Sequence, residues 1–164
     1  MSFYVSLFFL TMSKKFKLTI ELVPKTSWYK NMRKVMKESD WDKLRKQIYA
    51  KYDNKCGICG AEERLNCHEI WEYDDQNHVQ RLVGFIALCH LCHFVKHIGL
   101  AGVLASKGEL DYKKVVEHFM KVNQCGISEF EKHKQNAFTQ WAERSKHKWK
   151  IDLGEYQSLV RDNE

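Results

Sequence analysis

The sequence predicts an α+β fold in which a β-hairpin lies between helices and is fastened by cysteines. Three observations predict it. Two strand-like runs flank a polar turn near the middle of the chain, helical periodicity dominates the last third, and four of the six cysteines form two C-x-x-C pairs, one on each side of the hairpin. At 164 residues, 44% hydrophobic and 29% charged, the chain can bury a real core with small helical additions, which excludes a disordered polymer.

Taken in order, residues 1–12 read as a tail or an alternative start. The apolar run Phe-Tyr-Val-Ser-Leu-Phe-Phe-Leu lacks a basic flank and is too short to span a bilayer. Residues 13–55 form an N-terminal strand and helix. Phe16 to Val23 alternate strictly before Pro24, giving a half-buried strand with Lys17, Thr19 and Glu21 outward. A basic loop around Trp28 leads to a helix from Trp41 to about Tyr52, capped by Ser39 or Asp40, with Trp41, Leu44, Ile48 and Tyr52 on one stripe. Within a core spanning 56–103, Asn66 to Tyr73 and Arg81 to Leu88 read as strands joined by the turn Asp74 to His78, and His90 to about Val103 reads as a helix. The region 104–164 is a helical extension packed on the same domain. Its helices run over about 111–122 and 128–145, split at Asn123-Gln-Cys-Gly126, with Ser128 as N-cap and Glu131 at the third position.

Cys56-Gly-Ile-Cys59 and Cys89-His-Leu-Cys92 supply four soft thiolates at the spacing of metal knuckles. A short C-x-x-C loop brings two sulfurs to one ion from a tight turn, which Gly57 and Gly60 permit. Four cysteine ligands leave no open position, so the site reads as structural Zn2+ rather than catalytic, and buried free thiols or redox couples are the weaker alternative. Paired knuckles point to a reducing, cytoplasmic setting rather than a secreted disulfide framework. Cys67 and Cys125 lack such partners, and Cys67, on the hairpin next to His68, reads as a small buried thiol.

Histidines surround the second knuckle. His90, His93 and His97 fall on one helical stripe, and imidazoles at i and i+4 can bind one metal ion. His68 lies on the facing strand, within Leu65-Asn-Cys-His-Glu-Ile-Trp71. A second, divalent catalytic metal stands here against an inert polar face.

The order of knuckle, strand with His68-Glu-Ile, second strand, then Leu88-Cys-His-Leu-Cys-His93 opening a helix resembles the ββα-metal core of HNH endonucleases. The resemblance covers about 56–97, and the stretches around Glu21 to Trp28, Val79 to Leu88 and Trp141 to Ser145 are similar to HNH-endonuclease-like bacterial proteins. It implies an HNH-like, zinc-stapled ββα-metal core and metal-dependent hydrolysis of phosphodiester bonds in nucleic acid, DNA before RNA. His93 and His97 match the family's helical metal ligands. His68 is either the general base or a metal ligand with Glu69 as base. Gly84 stands where the family has an asparagine that orients the base, a departure that leaves a catalytically degenerate zinc module, binding nucleic acid or a protein without cleavage, as the alternative. The catalytic ion would be Mg2+, Mn2+, Ni2+ or Zn2+.

A formal net charge of +6 suits an anionic partner and gives no reason to expect a membrane one. Lys96 and Arg81 are candidate phosphate contacts. Lys25, Lys30, Arg33, Lys34 and Lys37 near Trp28, and basic residues interleaved with Trp141 and Trp149, suit a nucleic-acid track, unless the tryptophans pack inward.

Overall fold

The structure, a computed structural model, describes residues 15–27 and 31–160. The tail read over 1–12 lies outside the described residues, as do Trp28 and Lys30 of the basic loop. The architecture is α+β. Helices α1 (Met32–Val35) and α2 (Glu38–Lys51) precede the hairpin β1 (Leu65–Asp74) and β2 (Val79–Cys89). Then come α3 (His90–Lys96), α4 (Ile98–Ser106), α5 (Tyr112–Asn123), α6 (Ile127–Arg144), β3 (Lys150–Asp152) and a 3-10 turn over Gly154–Leu159. The sheet order is β1-β2-β3, antiparallel then parallel, so β1 is an edge strand. No helix among the described residues is long and apolar enough to cross a membrane.

The hairpin forms where alternation demands it, with β1 one residue longer at each end than its pattern predicts and β2 two residues longer at its start and one at its end. Asp74 closes the turn by accepting from the backbone N–H groups of Gln76 and Asn77. Ile70 pairs with Gly84 but Trp71 pairs with Leu82, leaving Val83 as the extra residue of a bulge. That extra residue reverses the side-chain phase of β2. Leu82 joins Phe85 in a core with Met32, Met36 and Trp41, while Ile86 and Leu88 face a second core with Leu18, Val95, Phe119 and Phe130.

Several boundaries differ from the sequence reading. Helix α2 starts three residues early, at Glu38, because Lys37 O accepts from both Asp40 and Trp41. Ser39 and Asp40 are therefore inside the first turn, where the acidic Glu38 and Asp40 suit the helix dipole instead of capping. Helix α6 is capped at Gly126, whose N–H is accepted by Glu129, two residues before the expected Ser128 and Glu131 pair. The helix expected to run unbroken from His90 breaks at His97, whose backbone (φ −101°, ψ 47°) leaves helical values. At the break, Lys96 O accepts the N–H of Glu21 (3.0 Å) from the N-terminal segment.

That segment, 16–23, bends at Lys17 and Leu18 and is not a strand. Its alternation is real, since Leu18 and Ile20 are buried, yet apart from the Glu21 bond to Lys96 O its backbone partners are side chains rather than a ladder. Asn123 Oδ1 accepts from Lys17 N and Leu18 N (2.9 and 3.0 Å), Asn123 Nδ2 donates to Leu18 O (2.8 Å), and His133 Nε2 accepts from Ile20 N (3.0 Å). Hydrophobic period alone cannot tell these cases apart, because it reports burial and not the identity of the bonding partner. Asn123→Ala should destabilise the protein by about 2–4 kcal/mol, because it strips three bonds and leaves the buried Leu18 backbone unsatisfied. Urea unfolding measures this, and a change below about 0.5 kcal/mol would contradict the anchoring role.

Candidate metal centres

Among the described residues two groups of side chains are spaced to hold a metal ion, and both touch α3. The first is Cys56, Cys59, Cys89 and Cys92, whose sulfurs all lie within 4.8 Å of one another. Gly57 and Gly60 make the 56–59 loop. Gly60 takes φ +78°, and a Cβ on Gly57 would lie 2.6 Å from the Tyr52 ring. The loop is sewn to the hairpin by Gly57 N–H to Ala87 O (2.8 Å). Cys89 ends β2 and Cys92 sits in α3, so one turn of backbone presents both sulfurs, and Cys92 N–H points at Cys89 Sγ (3.4 Å).

The Cys59 and Cys89 sulfurs are 3.5 Å apart, near the roughly 3.8 Å edge of a tetrahedron with metal–sulfur bonds of about 2.3 Å. None of the six cysteines is in a disulfide. Hydrogen bonds from Cys89 and Cys92 pull the Cys56 thiol far down, while the same contacts push Cys89 up to about 12 and Cys92 upward. A lowered thiol at Cys56 beside the sulfurs of Cys59, Cys89 and Cys92 is a set that a thiophilic cation would complete. His118 on α5 places Nε2 3.1 Å from Cys92 Sγ. Its position in an ordinary amphipathic helix gave no sequence signal, because only the tertiary packing of α5 on α3 brings it there. Cys67 is half-buried and stays a thiol, pushed up to about 12 by burial and then by the charge of Glu69.

The second group is His68, His93 and His97, with one ring nitrogen of each within 4.8 Å of the others. His68 projects from β1 and is buried; His93 lies on α3 and His97 at its broken end. The ring centroids are 5.5 Å (His68 to His93), 4.9 Å (His68 to His97) and 4.6 Å (His93 to His97) apart. Burial holds His93 down to about 3 and His97 to about 4, helped by the neighbouring imidazoles, so both stay neutral with a lone pair to offer at neutral pH. His90 is exposed, packs edge-on against Phe94 (4.5 Å), and does not join them.

Glu21 completes this corner. It does not face away from the protein, as the alternation suggests: its Oε2 lies 3.2 Å from His68 Nε2 and its Oε1 accepts from the Lys96 ammonium. Burial alone would raise its carboxyl, but the bonds and charges of His68 and Lys96 outweigh that and hold it at about 2. Lys96, read as a phosphate contact, is 7% exposed and is spent on Glu21 and on Thr19 Oγ1 (3.1 Å). Glu69, read as a candidate base, faces the opposite side of β1 from its neighbour His68. Its carboxylate accepts Met32 N–H (2.6 Å) and the Trp71 indole N–H (3.1 Å), and burial raises its pKa. Arg81 pairs with Asp152 (2.8 Å) and lies opposite Glu72, about 13 Å along the strand from His68.

The histidines open onto a cleft of about 980 Å³ that follows the β1 edge, with Arg33, Arg45 and Arg64 among its lining residues. Of the aromatic track, Trp149 is buried and donates to Arg144 O (2.8 Å), and Trp141 donates to Val23 O (3.0 Å) with Lys25 over its ring. Arg144 is clamped by both oxygens of Asp75 (2.6 and 2.7 Å). These tryptophans hold the molecule together more than they offer stacking faces.

Folded protein should carry about one tightly held thiophilic cation per chain, and Cys89→Ser should lower the melting temperature severely, because binding and folding are coupled. Elemental analysis finding none in folded protein would contradict this. The histidines make a separate prediction. An unfolded chain protonates them near 6.5, whereas the folded protein resists until about 3 and about 4, so stability falls as pH drops below 6.5. Between pH 7 and 5 the loss should be about 2 kcal/mol per histidine, on the order of 3–4 kcal/mol for the two, and a His93→Gln, His97→Gln double variant should flatten it. Urea midpoints across that range measure the slope, and equal slopes would refute the assignment. No family model, curated protein or solved structure matches the chain.

Proposed function

We propose that the chain is a metal-dependent endonuclease of the HNH kind that hydrolyses phosphodiester bonds of nucleic acid, DNA before RNA. The observation that carries this reading is the convergence of His68, His93 and His97 where the hairpin meets α3, on the wall of the long cleft. The succession of cysteine loop, hairpin and helix supports the resemblance to a ββα-metal core. In this reading the four cysteines hold structural Zn2+, which fixes the angle between β2 and α3.

A divalent cation held by His93 and His97 would supply charge stabilisation to the scissile phosphate and its leaving oxygen. With Glu69 turned away, the base is His68. Its neutral imidazole takes a proton from water as the water oxygen bonds to phosphorus and the bond to the leaving oxygen breaks. Arg33 and Arg64, on the cleft walls, are better placed for phosphate than the ion-paired Lys96.

One observation favours the second reading, a nucleic-acid or protein-binding module without cleavage. At Gly84, the position of the family's orienting asparagine, there is only a glycine paired with Ile70 beside the bulge, with no side chain to orient a base. Plasmid nicking with Mg2+, Mn2+, Ni2+ or Zn2+ separates the two. In the nuclease reading His68→Ala and His93→Ala each lower nicking by about 100-fold or more, with circular dichroism and cysteine-bound metal unchanged. Wild-type protein that binds DNA in a salt-dependent way but never nicks it supports the module, and variants that nick at the wild-type rate remove the enzyme reading.

A further inference from the structure

We propose that Glu21, carried by the N-terminal segment outside the hairpin and helix, is the positioning residue for His68: it fixes that imidazole with its proton on Nε2 and leaves the Nδ1 lone pair free. Its catalytic consequence rests on the nuclease reading; its structural content does not.

The geometry carries the assignment. A carboxylate can only accept hydrogen bonds, and Glu21 Oε2 lies 3.2 Å from His68 Nε2. That nitrogen therefore bears the hydrogen, and the neutral ring keeps its lone pair on Nδ1. The other carboxylate oxygen is occupied by Lys96, whose buried ammonium also donates to Thr19 Oγ1, so Glu21 is held from both sides. Its backbone is fixed as well, because Glu21 N–H bonds Lys96 O at the break between α3 and α4. The helix break, the buried ammonium and the carboxylate form one device aimed at His68. An anion beside the ring stabilises the imidazolium that forms when His68 takes a proton, and an orienting acceptor fixes which nitrogen reacts. Glu21 so supplies what the backbone at Gly84 cannot.

Long-range proton–nitrogen NMR of nitrogen-15-labelled full-length protein, with its cysteine-bound metal retained and no other metal added, reads the tautomer directly. At pH 7.5 His68 should be a single species protonated at Nε2. In Glu21→Gln the amide oxygen is claimed by the Lys96 ammonium, which presents the amide NH2 to Nε2. The tautomer should then invert to Nδ1–H while the His93 and His97 signals keep their positions. A wild-type Nδ1–H species, or a spectrum unchanged by Glu21→Gln, overturns the proposal, and the wild-type result decides even if the variant folds poorly. If the protein nicks DNA, Glu21→Gln should lower kcat about 100-fold or more with little change in KM, and an unchanged kcat counts against the role. Wild-type protein that shows Nε2–H but never nicks leaves Glu21's role standing and removes only the nuclease reading.

Discussion

Four sulfurs, from the 56–59 loop, the last residue of β2 and the first turn of α3, lie within 4.8 Å of one another, and the rest of the molecule is arranged around that joint. A three-stranded sheet with a three-residue third strand has little cooperative strength of its own. A cluster that ties the strand end to the helix start removes the freedom between them. His93 follows Cys92 directly, so whatever fixes the sulfurs also fixes the first imidazole, and the orientation of β1 across the hairpin then brings His68 to meet it.

The second organising element is the N-terminal segment, which closes the site from outside the hairpin. It has no ladder. Asn123 and His133 from the C-terminal helices hold its early residues, and the carbonyl freed at the end of α3 holds Glu21. The helix break at His97 therefore serves two ends. It turns the His97 ring toward His68, and it exposes the acceptor that anchors the residue facing His68. Regions distant in sequence thus converge on one imidazole, and the long C-terminal helices take part in the site through anchoring, without contributing a ligand.

Much of this was legible in the sequence, for reasons that can be named. Paired C-x-x-C spacing is a local signal, since two sulfurs reach one ion only from a tight turn, and the hairpin carries its own turn chemistry at Asp74. The histidine set followed from helix periodicity plus the knuckles. What the sequence hid was tertiary. Glu21 sits at an outward position of an alternating run, and nothing local says that the helix it packs on will end at Lys96. His118 is one polar residue on an amphipathic helix until α5 packs on the knuckle. Glu69 looked equivalent to His68 because adjacent residues share a neighbourhood in sequence, but a strand sends them to opposite faces. Bulge, cap and break positions depended on which partner each backbone group found, which periodicity does not encode.

In the proposed reading one short helix carries two metal centres of different chemistry, sulfur at its start and imidazole along its side. Anomalous diffraction from crystals soaked in Zn2+ tests it most directly. Two peaks per chain are expected, one enclosed by Cys56, Cys59, Cys89 and Cys92 and the other against His93 and His97 beside His68. Disulfides at the cysteines, or no peak at the histidines at saturating metal, would contradict it.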